Sequence, residues 1–340
     1  MRRERRTAFA PALLRIAFGL CAGLLLVELA VRVATNSVFV WGGPDSDRYV
    51  TIDPQIGRIP RAGLSIVHPK GFSINTGDHG TRSNGGAAPA AEHPPVLAVG
   101  DSFAFGDEVN DAESWPAVLE RLSGRRVINA GVPGFGLDQA VLRAEQLAAV
   151  YAPQVVVVSF IPHDVLRCQM SYWSGHPKPY FAIDGEALRL HPAAASPPSL
   201  VSALKGLLSL SVALDLVMPQ FLHWEGPREL LAHERGRAVA CRLMPRLAAL
   251  AHDRNAVVIV LAQPQVPDTT AEHAELKNGV LDCARANHLL TMDLFPIVDA
   301  LPAEQRARLF HGHMTAEGNR LVGRELAQLL ASPAAQPPRQ

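Results

Sequence analysis

Two short stretches of this chain carry side chains suited to covalent chemistry. In Val96-Leu97-Ala98-Val99-Gly100-Asp101-Ser102-Phe103-Ala104-Phe105-Gly106, an apolar run of strand type stops at Gly-Asp-Ser. A strand that ends there leaves the next side chains at the carboxyl edge of a sheet, where open α/β folds bind their ligands. Ser102 is thus placed where a nucleophile is useful. A serine hydroxyl needs a base, normally His, and donors for the developing oxyanion. Phe310-His311-Gly312-His313-Met314-Thr315-Ala316-Glu317-Gly318-Asn319 offers that base, in what reads as a loop running into a last helix. A Ser at a helix entrance is by itself as readily an N-cap. The His before the terminal helix is what singles this one out.

Strands and helices must hold the two stretches together. From Val96 onward, short apolar runs alternate with helical stretches. The predicted strands are Val96–Val99, Arg126–Asn129, Val155–Phe160, Val257–Ala262 and Leu289–Asp293. The predicted helices are Ser114–Leu122, Leu137–Tyr151, Leu230–Asn255, Ala271–Asn287 and Thr315–Leu330, with Pro245 expected to kink the third. Runs such as Val155-Val156-Val157-Val158 suit strands buried on both faces. The expected fold is therefore α/β: a three-layer α/β/α, doubly wound, flavodoxin-like parallel sheet of about five strands. It occupies residues 94–331, with an insertion at about 167–229 that carries a hairpin turn at Tyr180–Gly185. A helical pattern over Ser199–Met218 follows, read either as a lid-like wall or as a helix packed on the core. Residues 36–93, rich in Gly, Pro and polar side chains, read as an irregular linker or N-terminal wrap, and 332–340 as a disordered tail.

Composition narrows the function. The 340 residues carry 32 basic and 32 acidic side chains, and no basic stripe interleaved with aromatics, so nucleic acid is not an expected partner. Cys21, Cys168, Cys241 and Cys283 share no CxxC spacing, which argues against a zinc ribbon or a disulfide framework. Residues 1–35 form an address: Met1-Arg2-Arg3-Glu4-Arg5-Arg6, then an apolar stretch from Ala8 to Ala34 broken only by Arg15, Glu28 and Arg32. Basic residues ahead of a span predict a cytoplasmic N-terminus and an exported remainder, so the expected location is a single-pass membrane anchor with a periplasmic or extracytoplasmic domain. The alternatives are a cleaved signal peptide or an amphipathic helix packed on the domain.

Four blocks in order resemble the SGNH (GDSL-type) hydrolases, an esterase and acyltransferase superfamily. They are Gly100-Asp101-Ser102, Asn129-Ala130-Gly131-Val132-Pro133-Gly134, Ile161-Pro162-His163-Asp164 and His313. Ser114-Trp115-Pro116-Ala117-Val118-Leu119 is similar to the segment after the first block in bacterial members. Asn75, Gly80 and Arg82 look like the N…G-x-R element of membrane-anchored ones. The resemblance implies Ser102 as nucleophile, His313 as base, and the Ser102 and Gly134 N–H groups as oxyanion donors. Asp101 would orient the turn, and Asp164 with Arg167 would anchor the third loop.

Two positions depart from the family pattern. His163 stands where an Asn supplies a third oxyanion donor, a kind of contact worth about 2.7–4 kcal/mol elsewhere. Phe310 and His311 stand where an Asp orients the catalytic His; Asp293, Asp299 or Glu317, or a backbone carbonyl, would have to replace it. No cofactor is expected: the Gly131–Gly136 loop lacks the Gly-Lys-Ser/Thr ending of a phosphate loop. No metal is expected either, although His311 and His313 on an extended segment would share a face. The resulting expectation is an anchored esterase or O-acyltransferase acting on an O-acyl ester, with acetyl the expected group, of a carbohydrate or other small ester. The alternative is a catalytically weak glycan-binding or envelope scaffold protein. Oligomeric state is not legible.

Overall fold

The computed structural model describes residues 4–34, 49–68, 71–87, 89, 93–173, 176–193, 211, 213 and 233–335. The chain divides into two compact units, residues 1–48 with 196–224, and residues 49–195 with 225–340. The smaller unit is built on helix α1, Glu4–Ala34. Its Leu14–Ala34 portion, 21 residues with mean hydropathy 2.1, is long and apolar enough to cross a membrane, a property that signal sequences share. Leu20, Leu24, Leu25 and Leu26 are exposed along it. The two charges in its second half neutralise each other one turn apart, Arg32 Nε donating to Glu28 at 2.5 Å. Glu28 also accepts from Ser211 Oγ at 2.7 Å and from the Ala213 N–H at 3.1 Å.

The larger unit opens with two hairpins, β1 (Val50–Asp53) with β2 (Gly57–Pro60) and β3 (Ser65–Val67) with β4 (Ser73–Asn75). The doubly wound part follows: β5 (Val96–Val99), α2 (Ser102–Phe105), α3 (Trp115–Ser123), β6 (Val127–Asn129), α4 (Leu137–Tyr151), β7 (Val155–Phe160) and α5 (Pro162–Arg167). The described part of the insertion holds β8 (Tyr172–Trp173) with β9 (His176–Pro177), and β10 (Tyr180–Asp184) with β11 (Ala187–His191). Then come α6 (His233–Arg254), which runs through Pro245 as one helix, β12 (Val257–Ala262), α7 (Ala271–Ala286) and β13 (Leu290–Asp293). The chain closes with α8 (Phe295–Asp299), α9 (Ala303–Arg308), the two-residue strands β14 (Phe310–His311) and β15 (His313–Met314), and α10 (Ala316–Ala331).

The central sheet is five-stranded in the order β13-β12-β7-β5-β6, every pairing parallel. Counted along the chain this is the 2-1-3-4-5 order of flavodoxin-like sheets, whose crevice opens between the first and third strands. Here that place is the carboxyl end of β5 and β7. Alternate residues of each strand feed opposite layers, as the two-residue period of a strand requires. Leu97, Val99, Val156, Val158, Val258 and Val260 pack under α4, α6 and α7. Val96, Ala98, Val155, Val157, Ile259 and Leu261 pack under α3 and α10. Ser114, Thr270 and Thr315 cap the starts of α3, α7 and α10 through their side chains.

Three expectations change. Of the two readings of this region, the described stretch 49–87 fits the N-terminal wrap rather than the linker: its hairpins belong to the larger unit, and Arg82 bridges antiparallel to Asn129 on edge strand β6. The described part of the insertion is not a free lid, because Phe181 is buried against α4 and α6 and Lys178 donates to buried Asp138 at 2.7 Å. The Ser199–Met218 pattern lies, apart from Ser211 and Ala213, outside the described residues. Where a tail is expected from Ser332, Pro333–Ala335 form a 3-10 turn with Ala335 buried. Cys241 and Cys283 form a disulfide between α6 and α7. Spacing could not announce it, since the partners meet only when two helices pack side by side.

Candidate active site

Ser102 opens α2 immediately beyond β5, and the turn is built by its neighbours. Gly100 has φ +155, and a Cβ there would fall 2.7 Å from the Ser159 carbonyl oxygen, so only glycine lets β5 turn this close to β7. Asp101 is the N-cap; its Oδ1 accepts from the Phe103 N–H at 2.9 Å and its Oδ2 lies 3.3 Å from the Ser102 hydroxyl. The Ser102 N–H belongs to the first turn, whose amides have no acceptor within a helix.

His313 comes to this serine from the far end of the chain. Its Nε2 lies 3.0 Å from Ser102 Oγ, and its ring leans on Phe103 with centroids 5.3 Å apart. The hairpin that delivers it pairs His311 with His313 across Gly312 at φ +81, so the segment is a tight turn. His311 is exposed. The stretch is a hairpin rather than one extended segment, and among the described residues no three His, Cys, Asp or Glu side chains gather.

The remaining expected residues are linked to Ser102 through Asp101, Arg167 and Trp173. Gly134 has φ +84, and a Cβ on it would lie 2.8 Å from Trp173 Nε1, so the indole covers the loop at that point. Trp173 also stacks under the Arg167 guanidinium at 4.6 Å and meets the His163 ring edge-on at 5.7 Å. His163 is half-buried, and its N–H donates to Gln265 Oε1 at 3.2 Å. Asp164 accepts from the Ile161 N–H at 3.0 Å and from Arg167 Nη1 at 2.6 Å, while Asp101 Oδ2 lies 3.8 Å from the same guanidinium nitrogen. Burial pushes the Asp101 carboxyl above the usual range, opposed mainly by Arg167. Burial raises Asp164 well above that range, Asp101 raises it further, and Arg167 pulls it back.

The acids expected to orient His313 are engaged elsewhere. Asp293 accepts from Lys277 Nζ at 2.6 Å and caps Phe295 at 3.0 Å. Asp299 accepts from Thr269 at 3.2 Å, and Glu317 lines a groove between α3 and α10 with Arg121, Arg320 and Arg324. Sequence reading missed the carboxylates that do approach. Glu108 Oε2 lies 3.6 Å from His313 Nδ1 and accepts the His313 N–H at 3.2 Å, and Asp107 Oδ2 lies 4.0 Å from Nε2. The nearest local signal is the Gly106-Asp107-Glu108 turn directly after α2.

No family model matches the sequence, and no curated protein matches it. Solved structures with a similar fold include the lipase/acylhydrolase from Enterococcus faecalis: 15% identity over 73% of this chain and 100% of that one, TM-score 0.44. An acetyl xylan esterase, AlAXEase, is 13% identical over 69% and 99% of the two chains, with TM-score 0.41. A GDSL-like lipase from Bacteroides thetaiotaomicron VPI-5482 is 11% identical over 72% and 91%, with TM-score 0.38. At these values the chemistry has to be argued from the site itself.

Proposed function

We propose that this protein is a membrane-anchored ester-processing enzyme of the SGNH type, with Ser102 as nucleophile and His313 as general base. The observation that carries the reading is the 3.0 Å approach of His313 Nε2 to Ser102 Oγ, at the sheet edge where such folds bind ligands. His313 takes the hydroxyl proton as Oγ adds to the ester carbonyl. The Ser102 and Gly134 N–H groups serve the oxyanion, and His163 stands in the place of the family's third donor. Collapse expels the alcohol, which leaves with the proton from His313. The acyl-enzyme then passes its acyl group to water or to a second hydroxyl.

An O-acetylated carbohydrate is the substrate we favour. Trp173, backed by Arg167 and lying over Gly134, offers an aromatic face of the kind sugar rings stack upon. Trp173→Ala is expected to raise KM for an acetylated oligosaccharide and to leave p-nitrophenyl acetate nearly unaffected. The apolar Leu14–Ala34 helix and the Cys241–Cys283 disulfide together support an oxidising, extracytoplasmic location for the larger unit.

The test is fluorophosphonate labelling of the full chain in detergent, with Ser102→Ala and His313→Ala beside it. Labelling of the parent that disappears in both variants supports an activated serine. A folded parent that stays unlabelled overturns the enzyme reading. It would favour the glycan-binding alternative.

A further inference from the structure

We propose that Glu108 is the positioning residue for His313, its carboxylate taking the Nδ1–H and so fixing the imidazole for reaction at Ser102. The inference rests on the Ser102–His313 reading and deepens it. The acid comes from the loop that follows the serine's own helix.

The requirement is chemical. For Nε2 to accept the Ser102 proton, the neutral imidazole must carry its own proton on Nδ1, and a group must hold that N–H in place. Nδ1 is buried and has no hydrogen-bond partner, and Glu108 Oε2 stands 3.6 Å away. The same oxygen already accepts the His313 backbone N–H at 3.2 Å, so one carboxylate faces both donors of this residue. A movement of a few tenths of an ångström closes the second bond. Asp107 approaches Nε2 instead, the nitrogen that must stay open to Ser102. When Nε2 takes the Ser102 proton the ring becomes a cation, and the ionised Glu108 beside Nδ1 stabilises it without receiving a proton.

The backbone supports the assignment. Glu108 has φ +66, in the left-handed region that disfavours side chains and that glycine fills readily. The turn would be better served by glycine; what glutamate adds is the carboxylate. Gly312 makes room for it, since a Cβ there would lie 3.0 Å from Glu108 Oε2. The loop is also clamped from below. Arg82, buried, donates to the carbonyls of Phe105 (3.0 Å), Gly106 and Val109 (2.6 Å), and to Asp111 Oδ1 at 2.9 Å.

The experiment uses the full chain in detergent, with Glu108→Gln, Glu108→Gly and Asp293→Asn. The readouts are melting temperature, fluorophosphonate labelling rate against pH, and the effect of added formate. Both Glu108 variants are expected to fold, with Glu108→Gly melting at or above the parent because its backbone relaxes. Their labelling should fall on the order of 10²- to 10⁴-fold. Formate should restore part of the rate in Glu108→Gly, a recovery that a merely structural role would not produce. Asp293→Asn should label as the parent does. Glu108 variants that label as fast as the parent at every pH overturn the assignment and leave the Ser–His reading intact. A parent that does not label removes both.

Discussion

Arg167 shows how few residues hold the surroundings of Ser102. Its guanidinium faces two buried carboxyls, Asp164 at 2.6 Å and Asp101 at 3.8 Å, and lies over the Trp173 ring. One cation shared by two buried acids leaves both carboxyls raised, with burial the largest cause. A carboxyl raised on folding binds more protons in the native state than in the unfolded one. Its stabilising contribution is complete below the unfolded value, about 3.9, and is lost as pH rises through the folded value. Melting temperatures should therefore respond to Asp164→Asn in a pH-dependent way. Relative to the parent, the variant should gain from about pH 4 toward neutrality, because the parent loses that contribution and the amide does not. A constant difference at every pH would show that the pair does not titrate in this range.

At the scale of elements, the segment ahead of the sheet takes part in the site. Thr76 and Arg82 bridge to each other, and Arg82 pairs in turn with Asn129 on β6, which covers the sheet's outer edge. From there the Arg82 side chain reaches the loop between α2 and α3, while Asn75 donates to Asp111 Oδ2 at 2.5 Å. Arg82→Ala would leave Asp111 buried and uncompensated, at a cost of about 3–5 kcal/mol. Arg82→Lys keeps the charge but loses the fork of donors, so the loop carrying Asp107 and Glu108 should slacken. The expected result is a protein that melts cooperatively below the parent, with a labelling rate reduced beyond its loss of folded fraction. An unchanged rate per folded molecule would confine Arg82 to stability. The Asn75, Gly80 and Arg82 pattern was visible in the sequence, yet its purpose was not, because the carbonyls it serves belong to a different segment.

For the molecule as a whole, the Cys241–Cys283 link closes a loop of 42 residues, worth about 4 kcal/mol in the chain-entropy account. The double Cys→Ser variant should melt lower by a corresponding amount. The disulfide also reports on location. In cells, thiol alkylation followed by non-reducing electrophoresis should find the pair oxidised in the full chain and reduced when residues 1–35 are removed. A reduced pair in the full chain would place the larger unit on the cytoplasmic side.

The sequence by itself determined the local order of the chain. Runs such as Val155–Phe160 and Val257–Ala262 form the strands they spell, because side chains buried on both faces leave no other arrangement. Gly100-Asp101-Ser102 makes its turn from its own residues: a glycine where no Cβ fits and an Asp that caps the helix behind it. Pairings between distant segments had no such local signature. That His313 reaches Ser102, that Asp293 spends its charge on Lys277, and that Glu108 lies beside His313 depend on helix packing and loop clamping. Spacing along the chain showed only that no acid stands just before His313, where Phe310 and His311 are found. Proximity in space brings Glu108 to within 3.6 Å of His313 Nδ1, from a loop whose carbonyls Arg82 holds.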